Sequence, residues 1–186
     1  VAPVTAALIV VDVQVGFDDS AWGPRDNPDA EANIARLIAS WRRTDRPLIL
    51  VRHDSVTPGS PLLGGTPGNE LRDFVDGPRD LFVTKSVNSA FYGDPDLHQW
   101  LQGRDIGELV VCGVTTNHCV ETTARMAANL GYKVWFVLDA THTFDRLGPD
   151  GRIVPAAELA RATAASLHGE FAMVTSTSAL LEVFTP

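Results

Sequence analysis

The sequence predicts an α/β fold in which helices cover both faces of a parallel sheet. Apolar runs of strand length recur along the chain, and helical patterns lie between them. The runs are continuous rather than alternating, which is typical of strands that are buried on both faces. Alternating strands and helices form βαβ units, and their right-handed crossovers place helices on both sides of the sheet.

Six apolar runs are predicted as strands, and polar residues follow several of them directly. Asp12 follows the first run, Arg52 and His53 the second, Lys85 the third and Asp139 the fifth. The predicted strands are Ala7–Val11, Pro47–Val51, Asp80–Thr84, Leu109–Cys112, Lys133–Leu138 and Phe171–Thr175.

Helical patterns fill the segments between these runs. Before the second helix, Asp94 is expected to act as the N-cap, with Pro95 at the first helical position. Gly131 is expected to end the third helix as its C-cap. The predicted helices are Pro28–Arg43, Asp96–Gln102, His118–Leu130, Ala156–His168 and Ser178–Val183.

Length and composition predict a single soluble domain over residues 1–186. A hydrophobic content of 45% is ample for a buried core. No apolar run approaches the roughly 18 residues of a membrane span, and the start lacks the positive region of a signal peptide. A net charge of −8 and a pI near 5.0 disfavour nucleic acid or an anionic membrane as a partner. Two cysteines are too few for a disulfide framework, so we expect a cytoplasmic protein.

One long irregular stretch, Thr57–Asn69, interrupts the alternation of strands and helices. Its proline and glycine content excludes a helix. A long loop after the carboxyl end of a strand fits either a lid over a site or a surface insertion.

Chemically capable side chains follow three of the predicted strands. Asp12 and Gln14 come after the first strand, Lys85 after the third, and Cys119 lies in the turn after the fourth. Open parallel sheets bind ligands beyond the carboxyl ends of their strands. The sequence therefore predicts a carboxylate, an ammonium and a thiol on one rim of the sheet.

Cys119 is the candidate nucleophile. It is predicted in the first turn of a helix, where the helix dipole favours an anion and lowers the pKa of a thiol. The alternative is a small buried hydrophobic residue, which suits Cys112 in the fourth strand well.

Lys85 and Asp12 are candidates to assist that thiol. Only Lys85 and Lys133 are lysines among fifteen basic residues. A residue type this rare, placed on the rim beside Cys119, suggests a role in the chemistry. Its ammonium would stabilise a thiolate and a developing oxyanion, whereas a solvated strand flank is the ordinary alternative. Asp12 could accept the thiol proton and return it to a leaving amine, or it could cap the next loop.

No other motif points to a competing chemistry. The chain lacks a dinucleotide-binding GxGxxG, a phosphate-binding GxxxxGK[ST], a GxSxG elbow and a zinc-binding HExxH. The pair His53-Asp54 is a weak metal signal, and a polar loop is the alternative interpretation.

Four stretches, in order, resemble the isochorismatase-like cysteine hydrolase superfamily. They are LIVVDVQVGF, KSVNSAFYG, CGVTTNHCVETTAR and DATHTF, and together they span Leu8 to Phe144. Members of the superfamily include nicotinamidases, N-carbamoylsarcosine amidases, ureidoacrylate and biuret hydrolases, and isochorismatases.

The resemblance implies a Rossmann-like three-layer α/β/α sandwich with a six-stranded parallel sheet. It implies a catalytic triad of Asp12, Lys85 and Cys119. It also implies a cis peptide bond between Val114 and Thr115, and an oxyanion hole formed by the backbone N–H groups of Thr115 and Cys119.

Departures from the superfamily narrow the expected activity. The nicotinamidase branch carries a metal-binding Asp-x-His after its second strand, but this chain reads RHDSVTPGSPLLGG there. We therefore expect no metal and no other cofactor. An intact cysteine favours the amide-cleaving branches, and hydrolysis of the cyclic amide in streptothricin-type antibiotics is one family activity that remains open.

Further residues near the rim are candidates to contact substrate. Asn88 and Ser89 are expected to shape the loop after Lys85, and Asp139 to be structural. The candidate substrate-binding residues are Gln14, Phe17, Trp22, Phe91, Tyr92 and His118.

Three functions remain open from the sequence alone. The first is a metal-independent amidase that acts on a small molecule. The second is a hydrolase of an enol ether that does not need Cys119, and the third is a non-catalytic small-molecule binder. We also expect a homo-oligomer, a dimer or a tetramer, because apolar helix faces are commonly exposed in this fold.

Overall fold

The computed structural model describes residues 6–184 and contains a six-stranded parallel sheet. Its strands are β1 (Ala6–Val11), β2 (Leu48–His53), β3 (Leu81–Lys85), β4 (Glu108–Val114), β5 (Lys133–His142) and, last in the chain, β8 (Met173–Thr175). Two short strands, β6 (Arg146–Leu147) and β7 (Ile153–Val154), form a separate antiparallel hairpin.

The strand order across the sheet is β3-β2-β1-β4-β5-β8. The chain therefore moves outward in one direction from β1 to β3 and then in the opposite direction from β4. This reversal makes the gap between the carboxyl ends of β1 and β4 the topological switch point, where such sheets bind ligands.

Helices cover both faces of the sheet, as the alternation in the sequence predicted. They are α1 (Ala30–Arg43), α2 (Leu97–Gln102), α3 (Glu121–Asn129), α4 (Ala156–Leu167) and α5 (Thr177–Phe184). The described residues contain no helix that is both long and apolar enough to cross a membrane.

The two faces of β1 explain why its sequence is apolar without alternation. Leu8 and Val10 pack with α1 and α5 in one core, and Ile9 and Val11 pack with α2 and α3 in the other. Every residue of β1 is therefore buried. The predicted three-layer arrangement is confirmed.

The start of α2 differs from the prediction. The N-cap is Asp96, whose Oδ1 accepts a hydrogen bond from the Gln99 N–H at 2.9 Å. Asp94 and Pro95 precede the helix and are joined by a cis peptide bond. The pairing of Asp94 with Thr84 holds this segment against β3, so the predicted cap was placed two residues too early.

Strand β5 is longer than predicted, because it continues past Asp139 to His142. Its last residues pair with the end of β4, as Thr141 lies opposite Gly113 and His142 opposite Val114. Asp139 is structural, as expected, since its Oδ1 accepts hydrogen bonds from the N–H and hydroxyl of Thr177 at the start of α5.

Gly113 makes the close contact between β4 and β1 possible. Its φ of +125° lies in a region that L side chains rarely adopt. A Cβ at this position would collide with the backbone carbonyl oxygen of Val11. Only glycine therefore lets β4 approach β1 at the switch point.

We expect Gly113→Ala to lower the free energy of unfolding by about 3 kcal/mol, from backbone strain and overpacking together. Denaturant unfolding of the purified variant measures this loss. Gly107→Ala is the matched control, because a Cβ there meets nothing within 4 Å. Equal stabilities for the two variants would contradict this explanation.

Candidate active site

Asp12 lies directly after β1 and is fully buried. Its φ is +53°, a left-handed conformation that aspartate tolerates better than most residues. Its Oδ2 lies 2.6 Å from Lys85 Nζ. The other oxygen, Oδ1, is buried and has no hydrogen-bond partner within residues 6–184.

Lys85 is the last residue of β3 and forms a buried ion pair with Asp12. The exposed fractions of the two side chains are 0% and 1%. Strand β2 lies between β3 and β1, and its final residue, His53, also contacts the ammonium, with Nδ1 3.2 Å from Nζ. Burial, and after it the charge of Lys85, lowers the pKa of His53, so a neutral imidazole accepts the hydrogen bond.

Cys119 lies in a π-helical turn, Thr116–Val120, which joins β4 to α3. Its Sγ, a carboxylate oxygen of Asp12 and a ring nitrogen of His53 all lie within 4.8 Å of one another. The Asn88 Oδ1 lies 3.9 Å from Sγ. The structure therefore brings together the three residues that the sequence placed on one rim.

Burial raises the pKa of the Cys119 thiol, and the negative charge of Asp12 raises it further, whereas Lys85 opposes this change. The prediction of a thiol with a lowered pKa was wrong. Cys119 precedes α3 instead of lying in its first turn, and it sits in a desolvated position beside a carboxylate. Burial and the neighbouring carboxylate therefore both favour the neutral thiol over the thiolate.

The turn before Cys119 contains the cis peptide bond between Val114 and Thr115 that the resemblance implied. The backbone N–H of the buried Thr115 has no acceptor within residues 6–184. The hydroxyl of the next residue, Thr116, donates a hydrogen bond to the Thr141 hydroxyl at 2.8 Å and thereby ties the turn to β5.

These residues line a cavity of about 120 Å³. Of the predicted substrate contacts, Phe17, Trp22 and His118 lie on its wall. The lining residues are Asp12, Phe17, Trp22, His53, Leu62, Asn88, Thr115, His118, Cys119 and Arg146.

Three predicted substrate contacts lie elsewhere. The Gln14 side chain is buried. Its Nε2 donates hydrogen bonds to the carbonyl oxygens of His53 and Asn69, and its Oε1 accepts one from the His53 N–H. Phe91 stacks on Tyr132 with ring centroids 5.9 Å apart. Tyr92 is 70% exposed, because the short 3₁₀ turn Ala90–Tyr92 directs it away from the rim.

Besides Asn88, which was expected to shape the loop after Lys85, three lining residues were not predicted to contact substrate. His53 was considered only as half of a weak metal signal, although it ends β2 on the same rim as Lys85. Leu62 belongs to the stretch Thr57–Asn69, where it is buried and forms part of the cavity wall. Arg146 lies on the β6–β7 hairpin, whose two-residue strands give no periodic signal.

Asp12, His53 and Cys119 offer ligand atoms that lie close enough to hold a metal ion. The ammonium of Lys85, however, already contacts both Asp12 and His53. This arrangement favours Lys85 over a metal as the cation of the site.

A larger groove of about 610 Å³ lies between α4 and the ends of β5 and β8. Its walls include Leu138, Ala160, Ala164 and Val174, and no cysteine, histidine or lysine among residues 6–184 lines it. We therefore place the chemistry in the smaller cavity, where the nucleophile and the ion pair meet.

The sequence also matches a known protein family. The family model of the isochorismatase domain matches residues 6–178. The chain belongs to the isochorismatase family. The crystal structure of an isochorismatase-family hydrolase from Chromobacterium violaceum superposes with a TM-score of 0.93 at 37% identity, covering 99% of this chain and 95% of that one.

Three curated relatives align with most of the chain. The isochorismatase family protein YrdC of Bacillus subtilis is 38% identical over 96% of this chain and 95% of its own length. A streptothricin hydrolase from Streptomyces noursei is 35% identical over 97% of this chain and 66% of its own length. Nicotinamidase 3 of Arabidopsis thaliana is 36% identical over 75% of this chain and 74% of its own length. The protein is thus a member of a hydrolase family.

A buried histidine lies behind the aromatic wall of the cavity. His142 packs edge-on against Phe17 and Phe144, with ring centroids 6.5 and 5.4 Å away. Its Nε2 lies 3.7 Å from Glu31 Oε1, and its Nδ1 has no partner within residues 6–184. Burial, and then the charge of Arg25, lowers the pKa of His142 to about 4, although Glu31 opposes the change.

We expect stability to fall as the pH drops from 6.5 to about 4. In this range the unfolded chain binds a proton at His142 that the folded chain does not, so protonation favours unfolding, by on the order of 3 kcal/mol in full. Denaturant unfolding at several pH values measures the slope. His142→Gln should flatten it, whereas the control His168→Gln, at an exposed position, should not. An unchanged slope in His142→Gln would assign the effect to other groups.

We also expect the ion pair to control the reactivity of Cys119. Asp12→Asn removes a charge that raises the thiol pKa, so alkylation of Cys119 by iodoacetamide at neutral pH should become faster. Lys85→Met should make it slower. Peptide mass spectrometry of Cys119 gives both rates, and Cys112, which is fully buried, serves as the internal control. Slower alkylation in Asp12→Asn would mean that Asp12 already holds the thiol proton in the resting protein.

Proposed function

We propose that this protein is an amidohydrolase that cleaves a C–N bond of a small molecule through a thioester on Cys119. The observation that carries the proposal is that Asp12 lines the same cavity as Cys119 and that its Oδ1 has no hydrogen-bond partner within residues 6–184. Lys85 occupies Oδ2 and leaves Oδ1 as the acceptor for the thiol proton. A buried acceptor without a partner costs stability, which is tolerated where the atom has a chemical role.

The first step forms the thioester. Asp12 accepts the proton from the Cys119 thiol as Sγ attacks the carbonyl carbon of the amide. Because burial and Asp12 raise the pKa of the thiol, we assign the transfer of its proton to the same step as the attack of Sγ. Lys85 holds the carboxylate in place and offsets the negative charge that develops beside it.

The backbone supplies donors for the tetrahedral oxyanion. The Thr115 N–H has no acceptor within residues 6–184, and Thr115 lines the cavity. We assign the oxyanion to this N–H together with that of Cys119. Each such donor contributes roughly 3–4 kcal/mol to transition-state stabilisation in acyl-transfer enzymes.

Collapse of the intermediate breaks the C–N bond. Asp12, now protonated, gives its proton to the leaving nitrogen, so that ammonia or an amine departs and the acyl group remains on Sγ. Asp12 is again a carboxylate and can accept a proton from water as the water attacks the thioester. The acid product leaves, and the thiol regains its proton.

The names of two relatives support amide hydrolysis. One is a nicotinamidase and one is a streptothricin hydrolase. A further solved structure, from Pseudomonas syringae, is named a cysteine hydrolase and is 28% identical with a TM-score of 0.88. We infer the reaction class, amide hydrolysis, from these relatives and the cavity together. The proposed reaction uses no cofactor.

We expect Cys119→Ala to abolish hydrolysis of whichever amide, ureide or lactam the protein accepts from a panel of small substrates. Loss of the nucleophile should reduce turnover by several orders of magnitude. Product release is the measurement, and mass spectrometry after acid quench should detect the acyl group on Cys119 in the intact enzyme.

Cys112→Ala is the matched control, because Cys112 is a buried residue of β4 outside the cavity lining. It should retain turnover. Full turnover in Cys119→Ala would overturn the thioester mechanism, because the C–N bond would then be cleaved without the nucleophile.

A further inference from the structure

Arg146 presents an uncompensated positive charge to the cavity. It is half-buried and lines the same cavity as Cys119. Its Nε is buried without a hydrogen-bond partner, and no carboxylate within residues 6–184 lies at ion-pair distance from it. Within residues 6–184, its one side-chain hydrogen bond is with His118, whose Nδ1 lies 3.4 Å from Nη2.

The other charges of the cavity do not neutralise Arg146. Asp12 is paired with Lys85 at 2.6 Å, so this pair contributes no net charge. Partial burial, and then the charge of Arg146, lowers the pKa of His118, which favours the neutral imidazole although this side chain is also open to solvent. Burial also lowers the pKa of Arg146, but a guanidinium remains protonated in proteins. The cavity is therefore cationic in a chain whose net charge is −8.

The backbone around Arg146 is held firmly in place. The Asp145 N–H donates to the Pro24 carbonyl at 2.9 Å, and Asp145 Oδ1 accepts from the Ala156 N–H at 2.8 Å. Ala156 begins α4, so Asp145 caps that helix. Arg146 itself pairs with Val154 in the hairpin. A guanidinium that is positioned in this way and left unpaired costs stability unless a ligand supplies the missing acceptor.

We propose that Arg146 binds a carboxylate of the substrate. The inference rests on the proposed amidohydrolase function and narrows its substrate class to small amides or ureides that carry a carboxylate. Arginine is suited to this role because its planar fork binds a carboxylate through two parallel hydrogen bonds. Nε is covered in the ligand-free chain, so the bidentate pair requires the guanidinium to turn toward the cavity.

The cavity favours a small substrate. Its volume is about 120 Å³. Sites for drug-sized ligands are several times larger. A carbonyl group at Cys119 and a carboxylate at Arg146 would thus be separated by only a short linker.

Matched pairs of amides test the proposal directly. Succinamate and malonamate carry an amide and a carboxylate, and succinamide and malonamide replace the carboxylate with a neutral amide of similar shape. We expect a higher kcat/KM for the carboxylates. Arg146→Met should lower kcat/KM for them by about 10- to 100-fold, which is typical of a lost hydrogen-bonded charge contact, and change it little for the neutral amides. Arg146→Lys should restore part of the loss.

Arg152→Met is the control variant. Arg152 lies on the same hairpin, and its side chain is 88% exposed. This variant should keep the preference for carboxylates. Equal losses on charged and neutral substrates in Arg146→Met, or no preference in the unchanged protein, would overturn the proposal.

A second measurement does not depend on turnover. Propionate, but not propionamide, should slow alkylation of Cys119 by iodoacetamide, and this protection should disappear in Arg146→Met. Protection without hydrolysis of any amide would refute the proposed reaction and leave the carboxylate site standing. Hydrolysis without protection or carboxylate preference would refute the carboxylate site alone.

Thermal unfolding checks that Arg146→Met is folded, and we expect it to melt no lower than the unchanged protein, because an unpaired charge is removed.

Discussion

The buried ion pair between Lys85 and Asp12 is the interaction on which the rest of the site depends. Both side chains are removed from solvent, and transferring charges out of water is costly unless each has a partner. Loss of either partner would leave the other charge buried and alone, at a cost of about 3–5 kcal/mol. The pair forms only if β1, β2 and β3 keep their register, because a slip of one residue would turn a side chain to the opposite face of the sheet.

The same pair determines the state of the nucleophile. The carboxylate raises the pKa of the Cys119 thiol and the ammonium opposes this change, so the pair sets how readily the thiol gives up its proton. The unpartnered Oδ1 of Asp12 and the left-handed backbone at that residue both cost stability. Both unfavourable features lie at the switch point of the sheet. Functional sites commonly contain residues whose conformation or hydrogen bonding lowers stability.

The strands and the rim could be predicted from the sequence because a strand buried on both faces is apolar throughout. Parallel strands all end at the same edge, so Asp12, Lys85 and Cys119 could be placed together without coordinates. The thiol pKa could not be predicted in the same way, because its sign depends on burial and on the distance to Asp12. Tyr92 shows a different limit, since a short 3₁₀ turn decides whether an aromatic side chain faces the rim or the solvent. Arg146 was missed because the absence of a partner is a property of three-dimensional structure.

The β6–β7 hairpin differs from the sheet in how it is attached to the molecule. Its strands pair only with each other, and residues 149–153 are exposed. Changes in its length or charge therefore need not disturb the register that holds Lys85 against Asp12. A substitution on the hairpin can thus alter the part of the cavity wall that Arg146 forms, while the sheet keeps Lys85 and Asp12 in place.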